Sequence, residues 1–175
     1  MRNFVLVFSF AAASLVSPFV LAQEICHDRP GGQFADMRHC VTSVRAPQGA
    51  TSFGPEHLAA TGDGAWCASA ERNPSVTLHL KPASLLRTVT FTNGYAKSSE
   101  TFRQNGRVKS AVIETNTGYQ GYIDPKDTTA AQQFIIAKGQ YVWVRLKILQ
   151  STRGNPNPNV CLSEFLVNLE ELGAR

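Results

Sequence analysis

The chain has 175 residues, with 17 lysines and arginines against 13 aspartates and glutamates, and a formal net charge of +4 at neutral pH. This length fits one domain with a hydrophobic core of its own and leaves little room for two. The cations are scattered along the sequence and do not cluster, which argues against a dedicated nucleic-acid-binding protein.

The first 22 residues have the pattern of a secretory signal peptide. Arg2 provides a positive start, residues 4–16 form an apolar run without charge, and Ala22 ends a cleavage motif with small residues. The apolar run is shorter than the roughly twenty residues that span a bilayer, and no other segment reaches that length. We therefore predict cleavage after Ala22, no membrane insertion, and a secreted or periplasmic protein.

Four cysteines follow the predicted cleavage point: Cys26, Cys40, Cys67 and Cys161. An even number of cysteines in an exported protein predicts disulfides, and three connectivities are possible. We favour Cys26 with Cys40, which closes a short loop, and Cys67 with Cys161, which ties the early part of the domain to its last strand. The alternative is a zinc site formed by the pairs Cys26-His27 and His39-Cys40, although their spacing is not that of a common zinc module.

The first part of the exported chain is rich in turn residues. Residues 23–41 show little periodicity and carry a Pro-Gly-Gly turn, so we predict an irregular N-terminal segment held by its own disulfide. Residues 42–65 contain two prolines and four glycines, which predicts one short strand and an ordered loop. Trp66 closes this loop beside a cysteine and is predicted to lie in the core. The main domain is predicted to span residues 42–171, followed by a tail at residues 172–175.

The rest of the chain alternates apolar and polar residues with the period of half-buried strands. Turn signals separate the predicted strands, which cover residues 75–80, 86–92, 108–115, 119–123, 133–137 and 140–149. The last element, residues 160–171, fits a strand and also a helical stripe, and we choose a strand. About eight short strands in total predict an all-β fold, an antiparallel β-sandwich of the jelly-roll type.

The stretch from residue 91 to residue 108 holds a polar loop longer than the roughly two to five residues of a simple hairpin. Five of its side chains are candidate ligand-binding residues: Tyr95, Lys97, Arg103, Asn105 and Arg107. In one hypothesis Tyr95 offers a face to a sugar ring, while the other four bond hydroxyls or an acidic substituent such as the carboxylate of a sialic acid. In the alternative, Tyr95 and Phe102 pin the loop to the edge of the sandwich and the cations are solvated.

Two further candidates lie later in the chain. Trp143 is an exposed aromatic on the polar face of its strand, which suits a ligand contact. Arg153 belongs to a second polar loop, residues 151–159, together with Asn155 and Asn157. These three side chains are rim contacts in one interpretation and parts of an ordinary exposed turn in the other.

Sequence motifs of catalysis are missing from the chain. There is no G-x-S-x-G elbow, no H-E-x-x-H, no phosphate-binding loop and no G-x-G-x-x-G that opens a helix. His79 alternates with apolar residues, so it is interpreted as a strand-surface histidine and not as a general base. We therefore expect a protein without enzyme activity and without a cofactor.

Four segments of the sequence carry a resemblance to a known family: PQGATSFGPEHL (residues 47–58), AWC (65–67), NGYAKSSETFRQNGRVK (93–109) and CLSEFLV (161–167). Together they resemble the discoidin-like glycan-binding domain found beside bacterial NAD glycohydrolase toxins, which is one of the galactose-binding-like jelly rolls. The resemblance covers roughly residues 42–170. It implies a non-catalytic module that attaches a secreted protein to carbohydrate or to a cell surface through loops at one end of the sandwich.

The resemblance also raises the question of a structural calcium ion. Relatives usually carry an acidic D-G-D loop before the tryptophan, which helps to hold the ion together with a glutamate of the last strand. Here only Asp63 remains in that loop, with Glu164 as the possible partner. Calcium takes six to eight oxygen ligands, so this pair would hold it weakly, and we expect no metal.

Three functions remain open on the sequence alone. The first is attachment to a glycan or cell-surface ligand. The second is a protein-binding module, such as an inhibitor or a subunit of an envelope complex, that uses the same loops. The third is a hydrolase with an unrecognised site.

Overall fold

The computed structural model describes residues 23–31, 35–59 and 63–168. The predicted signal peptide and the predicted tail lie outside the described residues. Within those ranges the chain forms eight strands: β1 (Ile25–Arg29), β2 (Asp36–Val41), β3 (Trp66–Ala68), β4 (Ser75–Asn93), β5 (Arg107–Thr115), β6 (Gln120–Ile123), β7 (Ala131–Thr152) and β8 (Val160–Val167). One α-helix, α1 (Ser99–Gln104), and two short 3-10 helices, Pro55–Ala59 and Ala70–Arg72, lie in the connections.

The strands pair antiparallel in the order β1-β2-β4-β7-β5-β6, and β8 lies between β3 and β4. The predicted all-β antiparallel fold is confirmed.

The prediction of an irregular segment at residues 23–41 is wrong. β1 and β2 form an antiparallel hairpin, and β2 continues into the sheet by pairing with β4. β1 is an edge strand in which no residue is fully buried, so its sequence shows no alternation that could have predicted it. The N-terminal segment is therefore an integral part of the sheet.

The two longest strands form a ribbon that supplies both layers of the sandwich. β4 and β7 pair from Ser75 with Lys147 to Thr92 with Ala131, although the sequence predicted two separate strands within each. The breakers Lys81-Pro82 and Lys138-Gly139 bend these strands without ending them. The first half of β4 pairs with β2 and the second half with β8, and both halves bury side chains in the same core. The ribbon therefore doubles over, as a jelly roll requires.

The core confirms the prediction for Trp66 and the choice of a strand for the last element. Trp66 is fully buried, and its indole N–H donates to the carbonyl oxygen of Ser43 at 2.9 Å. β8 packs Val160, Leu162 and Phe165 into the main core. None of the helices in the described residues is long and apolar enough to cross a membrane.

A buried histidine joins the N-terminal hairpin to the last strand. The Nε2 of His39 lies 2.7 Å from the carbonyl oxygen of Phe165 and donates to it, whereas Nδ1 has no hydrogen-bond partner. Burial lowers the pKa of His39 to about 4, because the charged ring cannot be solvated there. The ring is therefore neutral at physiological pH.

Both predicted disulfides are confirmed. Cys26 pairs with Cys40 across β1 and β2, and Cys67 pairs with Cys161 across β3 and β8, with sequence separations of 14 and 94 residues. No free cysteine is present among the described residues. The zinc alternative therefore fails, because its two cysteines are joined to each other.

A candidate binding surface at one end of the sandwich

Three connections meet at one end of the sandwich, and we call the surface that they form the loop surface. The first loop covers residues 42–54, the second residues 94–106 and the third residues 153–159. The backbone N–H of Asn155 donates to Arg103 at 3.3 Å, and that of Asn157 donates to Gln104 at 3.0 Å. The second and third loops are therefore joined along their backbones.

The close approach of these two loops depends on a glycine. A Cβ atom on Gly154 would collide with the backbone of Gln104 and Asn105. A residue other than glycine at this position would force the loops apart, because backbone atoms cannot rotate away as a side-chain tip can.

The second loop is more ordered than the sequence predicted, because it contains the helix α1. Ser98 caps the helix: its hydroxyl accepts from the N–H of Thr101 at 3.1 Å, and the Thr101 hydroxyl accepts from the N–H of Ser98 at 3.0 Å. This reciprocal pair satisfies two N–H groups that would otherwise lack partners at the start of a helix. Arg103 thus lies on a capped helical turn, and Lys97 directly precedes the capping residue.

The disulfide between Cys67 and Cys161 lies directly beneath the loops. In the first loop, the N–H of Arg45 donates to the carbonyl of Cys67 at 2.7 Å, and the N–H of Cys67 donates to Phe53 at 3.1 Å. In the second loop, the N–H of Gly94 donates to the carbonyl of Cys161 at 3.1 Å. One covalent bond therefore supports two of the three loops.

The buried position of Tyr95 favours the structural alternative over the sugar-facing hypothesis. Its side chain is 9% exposed and belongs to a small buried cluster with Phe53 and the disulfide. The rings of Tyr95 and Phe53 meet edge to face, with centroids 6.4 Å apart. Tyr95 therefore anchors the second loop.

Asn105 and Arg107 are also engaged within the loop. Asn105 is 3% exposed, and its side-chain amide donates to the carbonyl of Thr101 at 2.9 Å. The Arg107 guanidinium lies 4.9 Å from the ring centroid of Phe102 and forms an ion pair of 2.6 Å with Asp127. These two predicted ligand contacts hold the loop in shape.

Three of the predicted cations remain exposed on the loop surface: Lys97, Arg103 and Arg153. None of them forms an ion pair with a carboxylate in the described part of the chain. The fold thus brings together exposed cations from the second and third loops, which lie about fifty residues apart in the sequence.

Trp143 lies away from this surface. It pairs with His79 in the β4–β7 ribbon, nine positions before Thr152, the β7 residue that pairs with Arg107 at the loop end. Its side chain is half-buried and not exposed as predicted, and the guanidinium of Arg145 lies 5.2 Å from its ring centroid. The structure therefore separates Trp143 from the other candidates.

Arg45 lies at the centre of the loop surface and is not among the residues predicted from the sequence. Its Nη1 donates to the Oδ1 of Asn105 and its Nη2 to the Oδ1 of Asn157, both at 3.2 Å. The guanidinium also lies 4.6 Å from the ring centroid of Phe53. Partial burial lowers the pKa of Arg45, but an arginine stays charged at neutral pH. No spacing motif marks Arg45, because its partners come from all three loops.

Asp63 and Glu164, the candidate calcium ligands, do not belong to a metal-sized cluster of acidic, histidine or cysteine side chains within the described residues. Glu164 accepts from the hydroxyl of Thr92 at 2.9 Å, and no third acidic or histidine ligand clusters with this pair in the described part of the chain. The metal-sized cluster that does occur there consists of Glu24 and the disulfide-bonded Cys26 and Cys40, whose sulfurs are not thiolates.

Comparison with solved structures shows which proteins share this fold. The family 32 carbohydrate-binding module of Clostridium perfringens NanJ, solved with galactose, superposes with a TM-score of 0.55 at 14% identity and covers 82% of this chain and 98% of its own. The family 32 module of Streptococcus pneumoniae EndoD gives 0.55 at 12% identity, with 74% and 94% covered. At these identities the likeness establishes the fold, a discoidin-like jelly roll.

Sequence comparison identifies the family. No curated protein sequence is significantly similar to the chain. The family model of the NAD glycohydrolase translocation F5/8 type C domain matches residues 42–168, which is most of the chain. This chain therefore belongs to the NAD glycohydrolase translocation F5/8 type C domain family.

Proposed function

We propose that the protein is a secreted, non-catalytic carbohydrate-binding module that attaches to glycans on a cell surface through the loop surface. The observation that carries this proposal is the convergence of three braced loops, with Arg45 at their centre and exposed cations around it. Solved structures of the same fold include modules bound to galactose and to a GalNAc-galactose disaccharide.

The chemistry of the loop surface suits a sugar. Lysine, arginine and asparagine side chains donate hydrogen bonds to hydroxyl groups, and each hydroxyl can accept as well as donate. The capped helix, the disulfide and the contact at Gly154 hold these donors in place before a ligand arrives. Such preorganisation reduces the entropy lost on binding.

Secretion is the second part of the proposal. Two disulfides are expected in an oxidising compartment, and the first 22 residues have the pattern of a signal peptide. Expression of the full chain in a bacterium should give a mature protein that begins at Gln23. Intact-protein mass spectrometry of the periplasmic and culture fractions measures that cut.

A glycan array probed with the mature protein tests the binding function. The test variant replaces the three exposed cations of the loop surface with alanine: Lys97, Arg103 and Arg153. The control variant replaces three exposed lysines of the strands with alanine: Lys81, Lys138 and Lys147. We expect the wild type and the control to bind the same glycans and the test variant to bind at least about tenfold more weakly, a loss of about 1.4 kcal/mol.

Two results would contradict the proposal. If the wild-type protein binds no glycan on the array but recovers one stoichiometric protein partner, the protein-binding alternative replaces it. If the control variant loses binding as much as the test variant, the binding surface lies elsewhere on the sandwich.

A further inference from the structure

We propose that the ligand of the loop surface carries an acidic group, a carboxylate or a sulfate on a sugar, and that Arg45 is the residue that contacts it. This inference rests on the proposed glycan-binding function and specifies its ligand class. The supporting observation is that the Arg45 guanidinium contacts an aromatic ring and two neutral amides but no carboxylate of the described residues.

Three arginines of the described chain stack on aromatic rings, and their counter-ions differ. Arg107 lies over Phe102 and has the carboxylate of Asp127 at 2.6 Å. Arg145 lies over Trp143 and has the carboxylate of Glu24 at 3.8 Å. For these two arginines the protein supplies both the aromatic face and the negative charge.

Arg45 has an aromatic face but lacks a negatively charged partner. It lies over Phe53, and the acceptors that hold it, Asn105 and Asn157, are neutral amides. None of the carboxylates in the described residues pairs with it. Its charge is partly removed from water and is not neutralised, and such a charge gains most from an anionic partner.

The orientation of Arg45 is already set for such a partner. Two of the five guanidinium N–H groups are occupied by the amide oxygens, and the remaining three have no acceptor within the described part of the protein. The planar arrangement of these donors matches the two oxygens of a carboxylate or sulfate. The ring of Phe53 supports the plane from one side.

The surroundings of Arg45 are also positive. Arg103 and Arg153 belong to the two loops that provide its amide partners, and both are exposed without a carboxylate partner among the described residues. Glu100, which accepts from the side-chain amide of Gln104 at 2.9 Å, is the single carboxylate of the three loops, and their cations are Arg45, Lys97, Arg103 and Arg153. The loop surface therefore presents several cations to a ligand, and an acidic sugar would be attracted to it over a neutral one.

The decisive variant is Asn157→Asp, because it supplies the missing counter-ion from within the protein. The new carboxylate would stand where the amide oxygen now lies 3.2 Å from the Nη2 of Arg45, so it should compete with an anionic ligand while leaving the fold intact. The control is Lys138→Gln, which changes the net charge equally at an exposed position in the bend of the ribbon.

The measurement is calorimetric binding of matched probes: 3′-sialyllactose against lactose, and 6-sulfogalactose against galactose. We expect the wild type and Lys138→Gln to prefer the acidic member of at least one pair, with an affinity that falls as salt is raised. We expect Asn157→Asp to bind that acidic probe at least about tenfold more weakly and the neutral probe with a clearly smaller loss, so that the preference for the acidic member falls. Thermal unfolding in sodium sulfate and in sodium chloride of equal ionic strength is a second readout, and sulfate should stabilise the wild type more than Asn157→Asp.

The outcomes separate this inference from the function on which it rests. If the neutral and acidic probes bind equally in both proteins, the loop surface binds glycans, but the inference that its ligand carries an acidic group is wrong. If no probe and no arrayed glycan binds, and sulfate stabilises both proteins equally, the proposed function and this inference fail together. If sulfate stabilises the wild type more than Asn157→Asp while no glycan binds, the anion site stands and the carbohydrate function is overturned.

Discussion

Arg45 and Arg145 stack on aromatic rings at similar distances, 4.6 and 5.2 Å, yet they belong to surfaces of different character. Arg145 lies on the side of the β4–β7 ribbon that faces away from the core, which we call the outer face. There its guanidinium donates to the hydroxyl of Thr77 and pairs with the carboxylate of Glu24. Arg45 lies in the loop surface, and its side-chain hydrogen-bond acceptors are the neutral amides of Asn105 and Asn157. The protein thus supplies a carboxylate partner for Arg145, whereas Arg45 has none among the described residues.

The two regions also differ in how they are cross-linked. The outer face carries Cys26–Cys40, which joins neighbouring strands of one hairpin. The loop surface rests on Cys67–Cys161, which joins segments 94 residues apart. The comparison predicts that damage to the second region has the larger consequences, and the following changes test it in order of expected effect.

The largest effect is expected from removing the disulfide beneath the loops. Closing a loop of nearly 100 residues contributes roughly 4.7 kcal/mol and a loop of about 15 residues roughly 3 kcal/mol on the chain-entropy model. Chemical denaturation should therefore show a greater loss of unfolding free energy for Cys67→Ala/Cys161→Ala than for Cys26→Ala/Cys40→Ala. Equal losses, or the reverse order, would contradict the difference between the two regions.

Acidification should weaken the link between the hairpin and the last strand. The pKa of His39 is about 4 in the fold and about 6.5 in the unfolded chain, so the unfolded state takes up the proton first as the pH falls. The stability contributed by His39 is complete above pH 6.5 and is lost between pH 6.5 and 4, by up to about 3 kcal/mol.

His39→Gln is the matched variant for this effect, because an amide N–H can still donate to the carbonyl of Phe165 but does not titrate. Urea midpoints at pH 7 and pH 4.5 should differ less in the variant than in the wild type. Identical differences in the two proteins would mean that the His39 ring titrates normally.

Gly154→Ala should separate the second and third loops. The added methyl group meets the backbone of Asn105, and overpacking of this kind costs about 1–3 kcal/mol. The Kd for the best arrayed glycan should rise in parallel. Gly121→Ala is the control, since its methyl group meets only the side chain of Tyr119, which can move. Full glycan affinity in Gly154→Ala would show that loop contact is not needed for binding.

The smallest effect is expected at Trp143. Trp143→Ala removes the stacking of Arg145, which is worth about 0.5–1 kcal/mol at exposed sites and about 2 kcal/mol when desolvated, and should leave glycan affinity unchanged. The same calorimetric titration measures this. A weakened affinity would place the ligand on the outer face and restore Trp143 as a binding residue.

Local sequence patterns predicted the fold class and the burial of Trp66. The even number of cysteines predicted disulfides but left three connectivities open, and the favoured one is observed. Local patterns failed for β1, because an edge strand exposed on both faces has no alternation to detect. They also placed both Tyr95 and Trp143 among the candidate ligand contacts, although Tyr95 is buried and the two residues lie in different regions.

The role of Arg45 could not be predicted from the sequence, for a different reason. Its importance comes from Asn105 and Asn157, which are 60 and 112 residues away in the sequence. No periodicity or spacing encodes such a meeting of three loops. Conversely, Asn105 looked available for a ligand because the sequence does not reveal that its side chain caps α1 and holds Arg45.

The position of the Cys67–Cys161 disulfide has a mechanical consequence when force acts on the loop surface. Tension applied at the loops would pass through the hydrogen bonds of Arg45 and Gly94 to Cys67 and Cys161, and from there through a covalent bond into β3 and β8. The strands on either side would share the load instead of peeling apart one hydrogen bond at a time. Reduction of this one bond should therefore lower the force at which the loops yield far more than it changes the resting shape of the sandwich.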